Sequence, residues 1–558
     1  MKSGKFLFLA IIFLVSLVCI SAVSAADEAV SDVIADTNDD VSNENLALEE
    51  SDENDLTDDG GEWSQPSVDP PIIGNFAFLN ETVNNGNDVV DLKYNYVYDP
   101  YNEEDSDFQD GICIDHNVTI NGNGRTITGN TQAAIFYIPP GVSVVLKNIT
   151  FTDAKTLFNG GAVYVDEGAN CSIVNCAFSN NNAENGGAVY VDDYGNCTIV
   201  KCAFSNNNAE YGGAVAVNGY GNCTIEDSSF SNNSAVYGGA IYVNNLGNCT
   251  ATDSSFVNNE AEVWGGAICA YDSEVCTAIN CSFTNNKAGE FSGGMDFGTA
   301  IDCNFTKNYA ETAGAKYGGI SIGCIFKENS AQNGGALIEG EAYNCIFIDN
   351  IAKNASDDVI DLANEENCKY IHHTAITASA VTAIYNVNKY LTITLKDIYG
   401  RAVSGVSVTV TLGSAKTYKT DKYGQIKINV AKLLPKAYTA KITFAGNSIY
   451  TAITKSVKVT VKKATPKLTA KAKTFKVNVK TKKYTVTLKN NKNKVLKKVK
   501  LTLKVGKKTY KATTNSKGKA TFKITKLTKK GKYTATIKFA GSKYYNNLTK
   551  KVKITVKK

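Results

Sequence analysis

Between about residues 110 and 367 the chain is written in short alternating runs, CSIV or CTIV, then CAF, then AVYV, each closed by Gly or Asn. Alternation at period two predicts half-buried strands, and the Gly and Asn clusters predict the turns between them. The runs recur. CAFSNNNAENGGAVYV at 176–191 returns 26 residues later as CAFSNNNAEYGGAVAV at 202–217. Gly pairs at 160–161, 186–187, 212–213, 238–239, 265–266, 293–294 and 318–319 keep the step, with 334–335 closing early. Phe178, Phe204, Phe230, Phe256, Phe283, Phe305, Phe326 and Phe347 keep it too, with shorter later steps. A unit repeated in this way buries its apolar face only against its neighbours.

Comparison of units assigns the faces. Tyr190 becomes Ala216 and then Tyr242, while Val189, Val215 and Ile241 stay aliphatic. The tolerant column is expected to point outward and the aliphatic one inward. Cys197 and Ile199 share the inward parity, whereas Cys202 and Phe204 fit it only if a bend near Val200 and Lys201 resets the alternation. Each unit is then a coil of three strands, and about ten coils stacked about 4.8 Å apart make a right-handed parallel β-helix. The first coils are placed near Gly111 and the last near Asn367. FAFLNETVNN ahead of them is expected to form a short amphipathic cap.

The rhythm changes after His373. LTITLKDIYGRAVSGVSVTVTL and the runs that follow it are echoed about 92–95 residues later by YTVTLKNNKNKVLKKVKLTLKV and its followers. About seven alternating strands per copy, with turns at Tyr423-Gly424 and Lys517-Gly518, predict two immunoglobulin-like sandwiches at 373–463 and 464–558. The fold class is all-β, with the β-helix and its cap over 73–372.

Composition agrees: 45 Gly and 29 Tyr stand against two Met and eight Pro. MKSGK, then FLFLAIIFLVSLVCI, then SAVSAAD has the three parts of an export signal over 1–25, cleaved near Ala25 or Ala26. The residues before Cys19 lack a lipobox, and no later stretch has the roughly 18 continuous apolar residues of a membrane span. The mature chain is therefore expected outside the cell, at the surface or wall, with no membrane span. Residues 26–72 are acidic, poor in aromatics and expected to be a solvated linker. The last module holds about thirty Lys and no Asp or Glu. Lys497, Lys498, Lys500, Lys507 and Lys508 are its candidate polyanion contacts, and an anionic wall polymer is the expected partner. Export and the lack of a reading motif argue against nucleic acid.

GGA plus an aliphatic residue (186–189, 212–215, 238–241, 265–268, 334–337), alternating with Phe-x-x-Asn, resembles the polymorphic membrane protein repeat. With the export signal and the tandem sandwiches, which look like bacterial-type immunoglobulin-like repeats, the chain resembles adhesin-like surface proteins of methanogenic archaea. That resemblance implies a β-helical display surface and a role in attachment, and no catalytic residue. Ser292-Gly293-Gly294-Met295 and Tyr317-Gly318-Gly319-Ile320 depart from the pattern, so coils between about 290 and 325 are expected to be irregular.

Fourteen Cys follow Cys19, most of them in two registers: Cys171, Cys197, Cys223, Cys249 and Cys276, then Cys176, Cys202, Cys281, Cys303, Cys324 and Cys345. Ser228 and Ser254 replace Cys in the second, so the position requires a small side chain more than a sulfur. Buried thiols and disulfides between coils both remain open, and metal-type CxxC spacing is absent. No metal or cofactor is expected. Asn170, Asn196, Asn222 and Asn248 begin sequons on successive coils, where glycans would collide, and an amide ladder is the expected arrangement. Asn80, Asn117, Asn148, Asn304 and Asn547 are the candidate glycosylation sites. Tyr211, Tyr237 and Trp264 are expected to form one exposed aromatic column and Tyr194 and Tyr220 another, suited either to surface glycans or to one another. Polysaccharide lyases and hydrolases also use β-helices but need converging acids. The three His, His116, His372 and His373, lie outside the regular repeats. Adhesion to glycans or other cells is the leading function, against a structural wall protein or a β-helical carbohydrate enzyme.

Overall fold

A computed structural model describes residues 73–271, 276–354 and 359–558; the expected export signal and acidic linker lie outside them. Parallel pairing runs from Ile73–Gly74 on Asn95–Tyr96 to Ile346–Ile348 on Lys369–Ile371. Like residues face like across the coils: Cys197 on Cys223, Ile199 on Ile225, Phe204 on Phe230, Val215 on Ile241. The all-β order expected from the sequence, a parallel β-helix followed by two β-sandwiches, is the one the chain adopts.

Each regular coil lends two strands to a 23-stranded sheet and one to an 11-stranded sheet. The two strands in the first sheet, such as Asn196–Val200 and Ala203–Ser205, are bent apart at Lys201, whose φ is 55°. Equivalent positions are Asn175, Asp227, Asp253, Asn280, Asp302 and Asn344, all left-handed. Asn and Asp tolerate that region better than other side chains, which explains their recurrence at the bend. A fourth short strand, not foreseen, forms a four-stranded sheet from Asn208–Tyr211, Ser234–Tyr237, Glu260–Trp264 and Lys287–Ala288.

The glycine pair has two separate causes. Gly186 has φ 61°, and a Cβ on Gly187 would lie 2.3 Å from the carbonyl oxygen of Gly213 one coil on. The first glycine turns the chain; the second lets coils approach.

Inside, the rings from Phe151 through Phe347 to Tyr370 stack with centroids 4.6–5.0 Å apart and interplanar angles of 1–11°. Beside them runs a second buried column, Asn181, Asn207, Asn233, Asn259, Asn286, Asn308, Asn329 and Asn350. Asn207 shows the pattern. Its Nδ2 donates to the Phe178 carbonyl (3.1 Å) and to Asn233 Oδ1 (2.9 Å), while its Oδ1 accepts from the Asn181 backbone N–H and from Asn181 Nδ2. The SNNN phrase is thereby decoded: Asn206 turns left-handed, Asn207 enters the ladder, and Asn208 opens the next strand.

Four expectations need correction. Tyr190, Ala216 and Tyr242 have outward parity, yet they are buried; Tyr211 and Tyr237 fold over Tyr242 with centroids 5.1 and 6.4 Å away, and Tyr164 lies 5.3 Å from Tyr190. Coils between 290 and 325 are regular, with Met295 paired to Lys316 and Lys316 to Leu337. That register makes Ala313-Gly314 the counterpart of Gly334-Gly335, and Gly318-Gly319 belongs to a later turn. Parallel pairing also begins before Gly111, since Val89–Asp91 already pairs with Thr119–Asn121.

The helix Phe76–Val83 turns Phe76, Leu79 and Val83 into the core. Asp105 is buried beneath its first turn and accepts from the backbone N–H groups of Phe76, Ala77 and Asp99 at 3.1, 2.8 and 2.8 Å. At the other end, His373 donates its backbone N–H to Asp349 Oδ1 (2.8 Å) and sets Nδ1 2.5 Å from Oδ2.

Both sandwiches have one order. In the first, the sheet of Thr374–Ala378, Tyr390–Asp397 and Gln425–Asn429 covers the five strands Val381–Ile384, Ile453–Lys462, Ala437–Phe444, Ser407–Leu412 and Ser414–Lys419. In the second, Lys467–Thr469, Lys482–Lys489 and Lys519–Ile524 cover Lys473–Lys476, Leu548–Lys557, Gly531–Phe539, Lys500–Val505 and Lys508–Thr513. Apolar residues of alternating parity fill each interior.

Candidate binding surfaces

Because the conserved-looking Phe, Cys and Asn of the repeat point inward, only the side chains of outward parity and of the turns meet other molecules. The turn column comes first. Tyr194 and Tyr220 are 57% and 54% exposed and stack at 5.1 Å and 16°. Beside them a depression of ≈ 530 Å³ is lined by Asp193, Asn218, Gly219, Tyr220, Asn245 and Leu246. Asp193 Oδ1 accepts from the Tyr220 backbone N–H (3.1 Å), and Asn245 Nδ2 donates to Asn218 Oδ1 (2.9 Å). Planar amides and a carboxylate thus border an exposed aromatic pair.

The second column is half-buried. Tyr211 and Tyr237 stack at 5.4 Å and 11°, so each turns a face to the other and presents mainly its edge outward. Trp264 leaves the stack, standing 70° to Tyr237 and 21° to Tyr271. Its indole N–H is buried with no hydrogen-bond partner among the described residues.

Glu210 and Glu262 lie on the neighbouring four-stranded sheet, interrupted by Val236, and Glu184 lies in the coil before its first strand; with Glu260 they border a groove of ≈ 640 Å³. Glu260 is paired with Lys287, whereas Glu184, Glu210 and Glu262 have no ion-pair partner among the described residues. A further column joins phenols to carboxylates: Tyr137 donates to Asp166 at 2.5 Å, and Tyr164 to Asp192 at 2.8 Å. The carboxylate partner and burial push Tyr137 up to about 12. No sequence signal had marked this column, because Asp166 and Asp192 read as turn residues.

The last module carries a different surface. Cross-strand register on its five-stranded sheet sets Thr509, Lys504, Thr536 and Lys551 in one row, and Lys511, Thr502, Lys538 and Thr549 in the next. The outer face is a checkerboard of ammonium and hydroxyl groups. No Lys stands directly opposite another within these rows, which avoids the like-charge pairing that destabilises a sheet. In the first sandwich the equivalent row is Thr417, Thr409, Thr443 and Thr454. The same sheet therefore forms with a neutral row where the last module has lysines, the next row carrying the single Lys441. The five lysines singled out in the sequence are spread out: Lys497 and Lys498 precede Lys500–Val505, Lys507 and Lys508 follow it, and Lys508 has inward parity. The six-residue strand between them spans about 20 Å.

Lys316 is a fully buried cation in the aliphatic ladder, with Nζ donating to the carbonyls of Gly298 (3.0 Å) and Gly318. Burial pulls its pKa down to about 8 and pushes that of Asp296 up to about 7. Fourteen Cys are free thiols, and hydrogen bonding to the thiol of the preceding coil, together with burial, raises Cys223 and Cys249 well above the ordinary range. Among the described residues no group of three or more His, Cys, Asp or Glu is arranged to hold a metal. Amides link Asn170 with Asn196 (3.3 Å) and Asn222 with Asn248 (2.9 Å). Asn117, Asn148, Asn304 and Asn547 are exposed, and Asn80 is half-buried and accepts from Asn84. No helix of the described residues is long and apolar enough to cross a membrane.

Residues 140–308 match the family described as right handed beta helix region. No curated protein matches the chain. Among solved structures, the chain is similar to a 1.5-MDa bacterial ice-binding adhesin at 14% identity, over 34% of this chain and 67% of that one, with a TM-score of 0.17. It is similar to invasin, a bacterial integrin-binding protein, at 18% identity, over 33% and 39%, with a TM-score of 0.23. Fibronectin(III)-like modules of Clostridium thermocellum CbhA give 18% identity over 33% and 94%, with a TM-score of 0.15.

Proposed function

We propose that the protein is an exported, nonenzymatic adhesin whose β-helix displays its flank to glycans or neighbouring cells and whose basic last module docks to an anionic wall polymer. The observation that carries this reading is the division of labour in the repeat. Ring, thiol and amide columns are used to hold coils together, and what faces out is a long lateral series of tyrosines, amides and carboxylates. Such groups suit sugar hydroxyls spread along a chain. Tyr194 and Tyr220, with the depression beside them, are the favoured glycan contacts; Tyr211, Tyr237 and Trp264 contribute edges and the indole. A hydrolase or lyase would instead need acids converging on one bond. Glu184, Glu210 and Glu262 lie in file on an exposed flank.

A glycan array with the intact protein, run beside a reducing-end assay on the same sugars, tests this directly. Binding without new reducing ends is the expected result, reduced at least tenfold by Tyr194→Ala with Tyr220→Ala. New reducing ends would make it an enzyme. Neither binding nor turnover would favour a structural wall protein, which the mutual stacking of Tyr211 and Tyr237 also suits. For the docking half, high salt is expected to release the protein from envelopes, because polyanion contacts are screened. A chain ending at Lys463 that is retained equally well contradicts it.

A further inference from the structure

The division of charge along the chain has no structural necessity, since the first sandwich builds the same sheet on a row of threonines. Residues 464–558 hold 31 Lys and no acid; the rest of the chain holds 27 basic and 55 acidic residues, a balance of −28. One molecule therefore carries both members of an electrostatic pair. The basic member is a flat lattice. Lys504 and Lys551 share a row with one strand between them, and Lys538 lies diagonally between the two. The acidic member is also built on β-structure. Glu210 and Glu262 stand two coils apart with Val236 between them, and Glu184 lies one coil before Glu210.

Both surfaces share one repeat, because strand neighbours in a sandwich and coil neighbours in a β-helix are each about 4.8 Å apart. Ammonium groups two strands apart and carboxylates two coils apart both recur at about 10 Å. Lys504 and Lys551 can thus meet Glu210 and Glu262, the latter at a register shift, with Glu184 one coil further on. We propose that the Lys/Thr face of one copy docks on the Glu184–Glu210–Glu262 flank of a second copy. The two surfaces lie on different modules, so the contact is heterologous: each docked copy leaves a free flank and a free face, and copies add head to tail into open chains. The proposal uses the same basic face as wall docking but does not depend on it.

Sedimentation velocity of the intact protein at about 50 mM and about 500 mM salt reads the association, because screening at the higher salt shortens the reach of exposed charges to a few ångströms. Growth past the dimer with concentration at low salt, reversed at high salt, is expected. Glu184→Gln/Glu210→Gln/Glu262→Gln and, separately, Lys504→Gln/Lys538→Gln/Lys551→Gln should each weaken association at least tenfold with unchanged far-UV circular dichroism. An equimolar mixture of the two variants should form pairs that stop at two, since each supplies the surface the other lacks. A wild-type chain that stays monomeric at low salt overturns the proposal, as does unchanged association of the Glu variant, which would place the partner of the Lys face elsewhere. The Glu variant keeps its Lys face, so its retention on envelopes reports wall docking independently of self-association.

Discussion

Replacement of Asn233 by Leu tests the amide column on its own terms, because Leu keeps the branched outline of Asn, with somewhat more bulk, and removes its polarity. Four hydrogen bonds disappear: two from the Asn207 backbone and side chain into Asn233 Oδ1 (3.0 and 2.9 Å), and two from Asn233 Nδ2, to the Phe204 carbonyl (3.1 Å) and Asn259 Oδ1 (3.0 Å). Water cannot replace them in a column with no exposed surface. Two N–H donors and the Phe204 carbonyl lose a partner, at roughly 1–3 kcal/mol each, while Asn259 Oδ1 keeps the Asn233 backbone N–H, so the local cost is about 3–9 kcal/mol. A coil contacts only its neighbours, so the damage should be local. Hydrogen exchange on the intact protein is the assay: amides of the coils holding Phe204, Phe230 and Phe256 should exchange at least about a hundredfold faster, while those near Phe326 hardly change. Asn233→Asp keeps the acceptor for Asn207 but sets a buried carboxylate against the Phe204 carbonyl and Asn259 Oδ1, and should cost at least as much as Asn233→Leu. The exposed Asn196→Ala should cost no more than about 0.5 kcal/mol. If Asn233→Leu proves as mild as Asn196→Ala, or if protection falls evenly along the helix, the ladder is not what joins the coils.

Three further outcomes are expected. Phe230→Ala should destabilise the β-helix by about 3–5 kcal/mol in urea unfolding, because it opens a hole between two stacked rings. Lys316 binds its proton less tightly in the folded chain, about 8 against 10.5; its penalty is full below about pH 8 and is relieved as pH rises towards 10.5, with a stability slope of up to about 1.4 kcal/mol per pH unit. Asp296 has the opposite sign, costing nothing below its ordinary value of 3.8 and most above about 7. Lys316→Met should remove the rising contribution of Lys316, measured as the difference in urea midpoint between variant and parent against pH, while the falling contribution of the raised ladder thiols stays common to both. With a thiol reagent under native conditions, Cys113 should react first, as the exposed one, and the ladder thiols only on unfolding.

Much of this architecture was legible because period is stronger than propensity. Phe178 to Phe347 and the Cys registers announce stacking before any strand is assigned. What escaped did so for identifiable reasons. Asn207 sits in a run of three Asn, and polar runs read as turns, although its middle member is the one buried. Gly318-Gly319 resembles the glycine pair and hid the true counterpart, Ala313-Gly314, and with it the place of Lys316 in the aliphatic ladder. Tyr190 varied among coils as an exposed residue does, yet the column is buried, at Tyr242 under aromatics of the fourth strand. The Lys/Thr checkerboard was beyond reach, since it exists only once the cross-strand register of Lys500–Val505 with Gly531–Phe539 is known.

Oxidative footprinting of the intact protein, free in solution and attached to cell envelopes, tests the division between holding and binding most directly. Attachment should protect Tyr194 and Tyr220 on the β-helix and side chains on the Lys/Thr face of the last module, while Phe204, Asn207 and Cys223 stay silent in both states. Protection confined to other faces, or none on attached protein, would contradict the assignment of binding to these outer surfaces.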